Sequence, residues 1–235
     1  MGWERVRSGA IVVGRLDMMD AYLNFHAHRR SASVAEQVVV NRMPFQGEWD
    51  SGDLFSVGIH PWYIPDNLER SLSEVDRLAN ESRCVAIGEI GLDKCVSTDW
   101  RLQEEVFRRQ LALAGSKGLP VVIHCVRAWS ELLHILKTEK ITVPCIIHGF
   151  RGKPDLARQL LDCGLYLSFG FRYNSSSLTM CPSDRIFFET DEDERPVEQL
   201  YCEAAELRAV SPEILRNVCW ENMQTVCSRK GNRLV

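Results

Sequence analysis

Asn24-Phe25-His26-Ala27-His28 places two histidines one residue apart at the end of an apolar run, Ala21-Tyr22-Leu23. If the run is a β-strand, alternate side chains share a face and the two imidazoles point the same way. Converging neutral imidazoles begin a transition-metal site, because histidine nitrogen is a favoured ligand for zinc and its neighbours. Two solvated histidines leaving a strand would look the same, so a metal site needs ligands from elsewhere in the chain.

Other apolar runs end the same way. His60 follows Leu54-Phe55-Ser56-Val57-Gly58-Ile59, Glu89 follows Val85 and Ile87 on one strand face, His124 closes Val121-Val122-Ile123, and His148 closes Cys145-Ile146-Ile147. Five of the six histidines fall at such ends; His134, inside Glu131-Leu132-Leu133-His134-Ile135, reads as a packing or surface residue of a helix. A carboxylate at the end of an apolar stripe is costly unless paired or bound to a cation. Taken singly, Glu89 suits a buried ion pair and His124 or His148 a satisfied core histidine. Taken together at strand ends, they suit a metal centre. A further acid comes from Glu189-Thr190-Asp191-Glu192-Asp193-Glu194, which offers five. Alternation from Phe187 keeps Glu189 and Asp191 on one face and leaves the choice open; the same acids also suit a solvated loop leading into a helix N-terminus.

The elements that must position these residues alternate. After the strand bearing the first histidine pair, strands are expected at 37–40, 54–59, 84–90, 121–124, 143–148, 165–169 and 185–189. Helices are expected at 67–80, 100–117, 128–137, 154–163, 196–208 and 212–228. Gly118 and Gly164 stop two of the helices and Pro154 starts one. Eight strands alternating with helices imply a parallel sheet, and eight such units in a chain near 250 residues favour a TIM-type (β/α)8 barrel over an open doubly wound sheet. Residues 28–54 show no amphipathic helix, so the outer helices after the first two strands are expected to be reduced.

At 235 residues, 45% hydrophobic and 26% charged, the chain suits one domain with a large core. Residues 20–235 are expected to form it, with residues 1–19 an N-terminal extension and Met18 or Met19 a possible functional start. No apolar run is long enough to span a bilayer, and Ala10-Ile11-Val12-Val13 is too brief for a secretory signal. Nine scattered cysteines without a C-x-x-C pair suit thiols in a reducing compartment, so a cytoplasmic location is expected. A net charge of -4 argues against an extended duplex-DNA surface. It leaves room for a nucleic-acid end, because bound divalent ions supply positive charge locally.

His26-Ala27-His28, Val57-Gly58-Ile59-His60-Pro61, Ala86-Ile87-Gly88-Glu89-Ile90-Gly91-Leu92-Asp93, Pro120-Val121-Val122-Ile123-His124-Cys125, Ile147-His148-Gly149-Phe150 and Glu189-Thr190-Asp191 resemble, in order, the motifs of TatD-like metal-dependent hydrolases of the amidohydrolase superfamily. The resemblance runs from about Leu23 to Asn222. It implies a barrel holding two divalent metal ions, one on His26, His28 and Asp191 and one on His124 and His148, with Glu89 bridging them. It thereby selects Asp191 among the acids. The chain departs from the family pattern at Asn24, where an aspartate is usual, at Trp62, where a second histidine is usual, and at Lys94, where an aromatic is usual. The usual arginine after the fourth motif sits one place later, as Arg127, followed by Ala128 in place of an acid. The expected ligands are kept, whereas several expected substrate contacts differ.

The leading expectation is hydrolysis of a phosphodiester, in a nucleic-acid end or a small substrate, by a deoxyribonuclease of exonuclease type. Two ions would activate a water and clamp phosphoryl oxygens. Asp191 would act as general base and Glu89 as the shared ligand, with His60, Arg127 and Arg151 binding substrate. A second expectation keeps the metals but attacks an ester, amide or lactone, and the acidic balance with no evident basic patch favours it. A third is a metal-binding scaffold without turnover. The mixed nitrogen and oxygen ligands accept Zn, Mn, Mg, Co or Ni, leaving the metal's identity open.

Overall fold

The computed structural model describes residues 20–29, 35–47 and 53–228. Its eight strands are β1 (Tyr22–Ala27), β2 (Glu36–Arg42), β3 (Leu54–Val57), β4 (Cys84–Asp93), β5 (Val121–Val126), β6 (Cys145–Ile147), β7 (Tyr166–Phe169) and β8 (Ile186–Phe188). They lie in one sheet in sequence order, each parallel to the next. The sheet curls back on itself where Ala27 bridges Asp191, with His28 N donating to Asp191 O (3.1 Å) and Asp191 N to His26 O (3.0 Å). The ring therefore closes at the residues that resemble ligands. This is the expected (β/α)8 architecture.

Helices α1 (Leu68–Leu78), α2 (Trp100–Lys117), α3 (Trp129–Thr138), α4 (Pro154–Asp162), α5 (Ser175–Met180), α6 (Val197–Arg208) and α7 (Pro212–Cys227) surround the sheet. Covered on both faces, the strands read as continuous apolar runs such as Val121-Val122-Ile123, all three buried. Only residues 28–35 separate β1 from β2 and only 43–53 separate β2 from β3. No helix occurs among the described residues of either stretch, as expected, although part of each lies outside those residues. The expected extension at 1–19 lies outside them too. Short α5 and a 3-10 turn at Ser183–Arg185 were not expected, because six polar-rich residues carry no helical periodicity.

Two features fix the mouth of the barrel. Gly91, in β4, has φ +154, and a Cβ there would come 1.9 Å from the backbone oxygen of His124, so only glycine lets β4 and β5 approach this closely. Two buried glutamines of α2 then tie the strand ends to the outer layer. Gln110 accepts from Ile59 N (2.7 Å) and donates to Ile59 O (3.1 Å), and Gln103 accepts from Asp93 N (2.8 Å) and donates to Asp93 O (3.1 Å). Seven residues apart on one helix, they hold the backbone just before His60 and just after Glu89.

Candidate metal centre

Glu89 stands at the middle of the mouth, 3% exposed, and all five strand-end histidines converge on its carboxylate. Oε2 lies 3.5 Å from His26 Nε2 and 3.7 Å from His28 Nε2. Oε1 lies 2.7 Å from His148 Nε2, 2.8 Å from His124 Nδ1 and 3.1 Å from His60 Nε2. Asp191 Oδ1 joins the first group, 3.3 Å from His28 and 3.9 Å from His26. Ligand atoms of His26, His28 and Asp191 lie within 4.8 Å of one another, as do those of His26, Glu89 and His148 and those of His60, Glu89 and His124. All six residues that the sequence assigns to metal are thus brought together. His60 joins them. Arg127 and Arg151 stay exposed on the mouth loops, outside the cluster, and exposed His134 is remote from it on α3.

The hydrogen-bond partners decide which nitrogen of each ring is available. An ionised carboxylate only accepts, so a ring nitrogen facing one carries the proton and the other nitrogen is left with its lone pair. His124 Nε2 faces Asp93 Oδ2 at 2.9 Å, which leaves Nδ1, toward Glu89, as the atom a cation could take in place of a proton. His148 Nδ1 faces Glu189 Oε1 at 3.1 Å, which leaves Nε2. Glu189 is itself held by Gly149 N (2.6 Å) and the Ser168 hydroxyl. These are carboxylate–histidine pairs of the kind that orient metal ligands and raise their basicity. His60 differs: its Nδ1 accepts from Trp62 N (3.1 Å), so Nε2 carries the hydrogen and donates toward Glu89. That tautomer suits a proton donor to an oxygen better than a ligand. Burial lowers the His60 pKa and keeps the ring neutral, although Glu89 opposes this.

The residues fit divalent cations. Both ring nitrogens of buried His26 lack any hydrogen-bond partner, which is costly unless Nε2 meets a cation. His124 Nδ1 and His148 Nε2 meet a carboxylate oxygen, and two acceptors at such distances need a proton or a metal ion between them. Burial would lower the His148 pKa, but Glu89 and Glu189 together hold it well above the ordinary imidazole value. Burial would likewise raise Glu89, and the surrounding imidazoles hold it well below the carboxylate range. Burial would raise Asp191 too, but the hydrogen bond from His28 together with the charges of His148 and His26 holds it below its ordinary value.

A pH dependence follows. Below its raised pKa, His148 carries a proton that an incoming cation must displace, and above it there is none to displace. Metal affinity is therefore expected to increase as pH rises, by about tenfold per pH unit for each proton displaced. Calorimetric titration of Mn2+ in buffers of different ionisation enthalpy should show at least one proton released near neutral pH, and release of none would contradict this proton assignment.

A family model described as TatD related DNase matches residues 48–228. The chain belongs to the TatD-related DNase family. Among its relatives, the uncharacterized metal-dependent hydrolase YabD of Bacillus subtilis (strain 168) is 35% identical over 145 residues, 58% of this chain and 57% of that protein. The 3'-5' ssDNA/RNA exonuclease TatD of Cronobacter sakazakii is 33% identical over 159 residues, 63% of this chain and 58% of that protein. The chain thus matches a little over half the length of each of these relatives. The crystal structure of YJJV, a TatD homologue from Escherichia coli K12, superposes with a TM-score of 0.78 at 19% identity, covering 89% of this chain and 98% of that one, and shares the fold.

Sequence reasoning missed several TatD-site residues. Asp93 lay inside a matched motif without a role, and Glu189 was one of five acids with no means of telling which served His148. Asn24 proves to be a fastener. Its amide donates to Thr190 Oγ1 (2.8 Å) and Glu36 Oε1 (2.5 Å) and accepts from Thr190 N (3.0 Å), fixing the residue before Asp191. An ionised aspartate could not make the donations and would face the Glu36 carboxylate.

Proposed function

We propose that this chain hydrolyses phosphodiester bonds at the end of a single-stranded nucleic acid, using two divalent ions held on either side of Glu89. The observation that carries the reading is the division of labour on one carboxylate: Oε2 faces His26 and His28, and Oε1 faces His124 and His148. His26, His28 and Asp191 would hold one ion, and His124 and His148 the other. Bound there, divalent ions lower the pKa of a water and offset negative charge building on phosphoryl oxygens. Asp191, kept ionised by the imidazoles of His28, His148 and His26, would take the proton of the attacking water. His60 Nε2–H would donate to a phosphoryl or leaving oxygen.

The charge around the mouth supports a polyanionic substrate. The loops after β5, β6 and β7 carry exposed Arg127, Arg151, Lys153 and Arg172 and no acid, and none of the four forms an ion pair among the described residues. The net charge of -4 conceals this basic arc. It favours a phosphate backbone over a neutral ester or lactone, since guanidinium groups suit phosphate geometry. The name of the Cronobacter sakazakii relative, a 3'-5' ssDNA/RNA exonuclease, supports the same direction. We also place the chain in a reducing compartment, because all nine cysteines are free thiols and three of them, Cys95, Cys163 and Cys202, are exposed.

Purified protein with Mn2+ should release mononucleotides from a single-stranded oligonucleotide, with kcat/KM falling steeply as salt rises because cations on the protein displace counterions from the strand. Turnover of a neutral ester with no salt dependence, and none of the oligonucleotide, would overturn this reading in favour of the carbonyl one.

A further inference from the structure

Trp62 stands where the family pattern has a histidine, and its side chain is both anchored and open. Its indole Nε1 donates to Asp93 Oδ2 at 2.7 Å, the same oxygen that faces His124 Nε2. Its ring sits edge-on to His60 and His124, with centroids 5.2 and 5.9 Å away. Yet it is 50% exposed, and its neighbour Tyr63 is 58% exposed. Tyr63 lies beside the same imidazole, its centroid 5.7 Å from that of His60 and 6.2 Å from that of Trp62. Scattered exposed apolar side chains need no explanation, but two adjacent rings at the rim of the site, one pinned through its polar edge, are not scattered.

The segment bearing them is stiff. Trp62 N donates to His60 Nδ1, Tyr63 N donates to His60 O at 3.0 Å, and Pro61 and Pro65 restrict the backbone on either side. A ring held this way loses little freedom when something stacks on it. Next to Asp93 in the chain, Lys94 is paired with Glu131. The aromatic surface beside Asp93 is thus carried by the loop after β3, and the basic arc by the loops after β5, β6 and β7.

We propose that Trp62, with Tyr63, is the stacking platform for the base of the terminal nucleotide, and so makes this chain selective for phosphodiesters that carry a base next to the scissile bond. The inference rests on the phosphodiester reading and adds the part of the substrate that gives affinity without sequence preference, since every base has a π-face. The basic arc would hold phosphates of the strand while the end base lies on Trp62. Trp62 is also a positioning residue, because its hydrogen bond helps to hold the Asp93 carboxylate against His124.

The two roles separate in the variants Trp62→Ala and Trp62→Phe, assayed with Mn2+ on two oligonucleotides that differ only in an abasic terminal residue. Wild-type protein is expected to cleave the base-bearing strand at least about tenfold more efficiently, mainly through KM, given what stacking one base contributes. Trp62→Ala should erase that preference, whereas Trp62→Phe should keep most of it and lose kcat on both strands alike. If wild type cleaves both strands equally well, or Trp62→Ala keeps the preference, the platform is refuted and the nuclease reading stands. If wild type cleaves neither strand, the nuclease reading falls and the platform with it.

Discussion

Glu89→Ala is expected to reduce turnover of an oligonucleotide by about 10³-fold or more, on the scale of the several kcal/mol that a metal centre contributes to stabilising transition-state charge. The variant should also lose its metals. Among the described residues Glu89 is the carboxylate that meets all five imidazoles, from 2.7 Å at His148 to 3.7 Å at His28. Removing it leaves two sets of ligands with nothing shared between them. Elemental analysis after loading and desalting should find fewer than two ions per chain. The fold should persist, because core packing does not run through this side chain and the Glu89 backbone N still donates to Asn41 Oδ1 at 2.8 Å. Full activity in a folded Glu89→Ala protein would remove the metal-dependent account.

Asp191→Asn should lower kcat by about 10²- to 10⁴-fold, the usual contribution of a positioned general base. KM for the oligonucleotide should change little. Asparagine is the informative replacement here for a backbone reason. Asp191 has φ +57, a left-handed conformation that asparagine tolerates and most residues do not, and its N–H and C=O close the barrel against His26 and His28. Asparagine therefore keeps the seam and an oxygen for the cation while losing the negative charge and the proton acceptor. The two variants should differ. Asp191→Asn should retain both ions at high Mn2+, with affinity weakened, whereas Glu89→Ala should not recover two at any concentration. If Asp191→Asn keeps wild-type kcat, the proton is taken elsewhere.

The residues that cluster at the mouth were legible in the sequence because they obey one positional rule. A parallel strand buried on both faces is an apolar run, and a histidine or acid at its end is conspicuous against it. His26, Glu89, His124 and His148 all close apolar runs in this way, although β4 and β5 continue past Glu89 and His124 to Asp93 and Val126, and His134, on an amphipathic helix, does not. The strands were legible for the same reason, as were the helices that begin at Pro154 and Pro212. The supporting contacts were not, because they join residues whose separation the local pattern does not encode. Gln110 reaches Ile59 across 51 residues, and His148 reaches Glu189 across 41. A buried glutamine on a helix looks in sequence like a solvated one. The basic arc was hidden for a related reason: its four cations sit on three separate loops and are gathered only when the barrel closes. Trp62 was visible as a departure from the family pattern, but its hydrogen bond to Asp93 needed β3 and β4 side by side.

Anomalous diffraction from crystals grown with Mn2+ tests the central claim most directly. Two manganese peaks should flank the Glu89 carboxylate about 3.5 to 4 Å apart, one against His26, His28 and Asp191 and the other against His124 and His148. No manganese at Glu89, or ions bound only away from these side chains, would contradict the account.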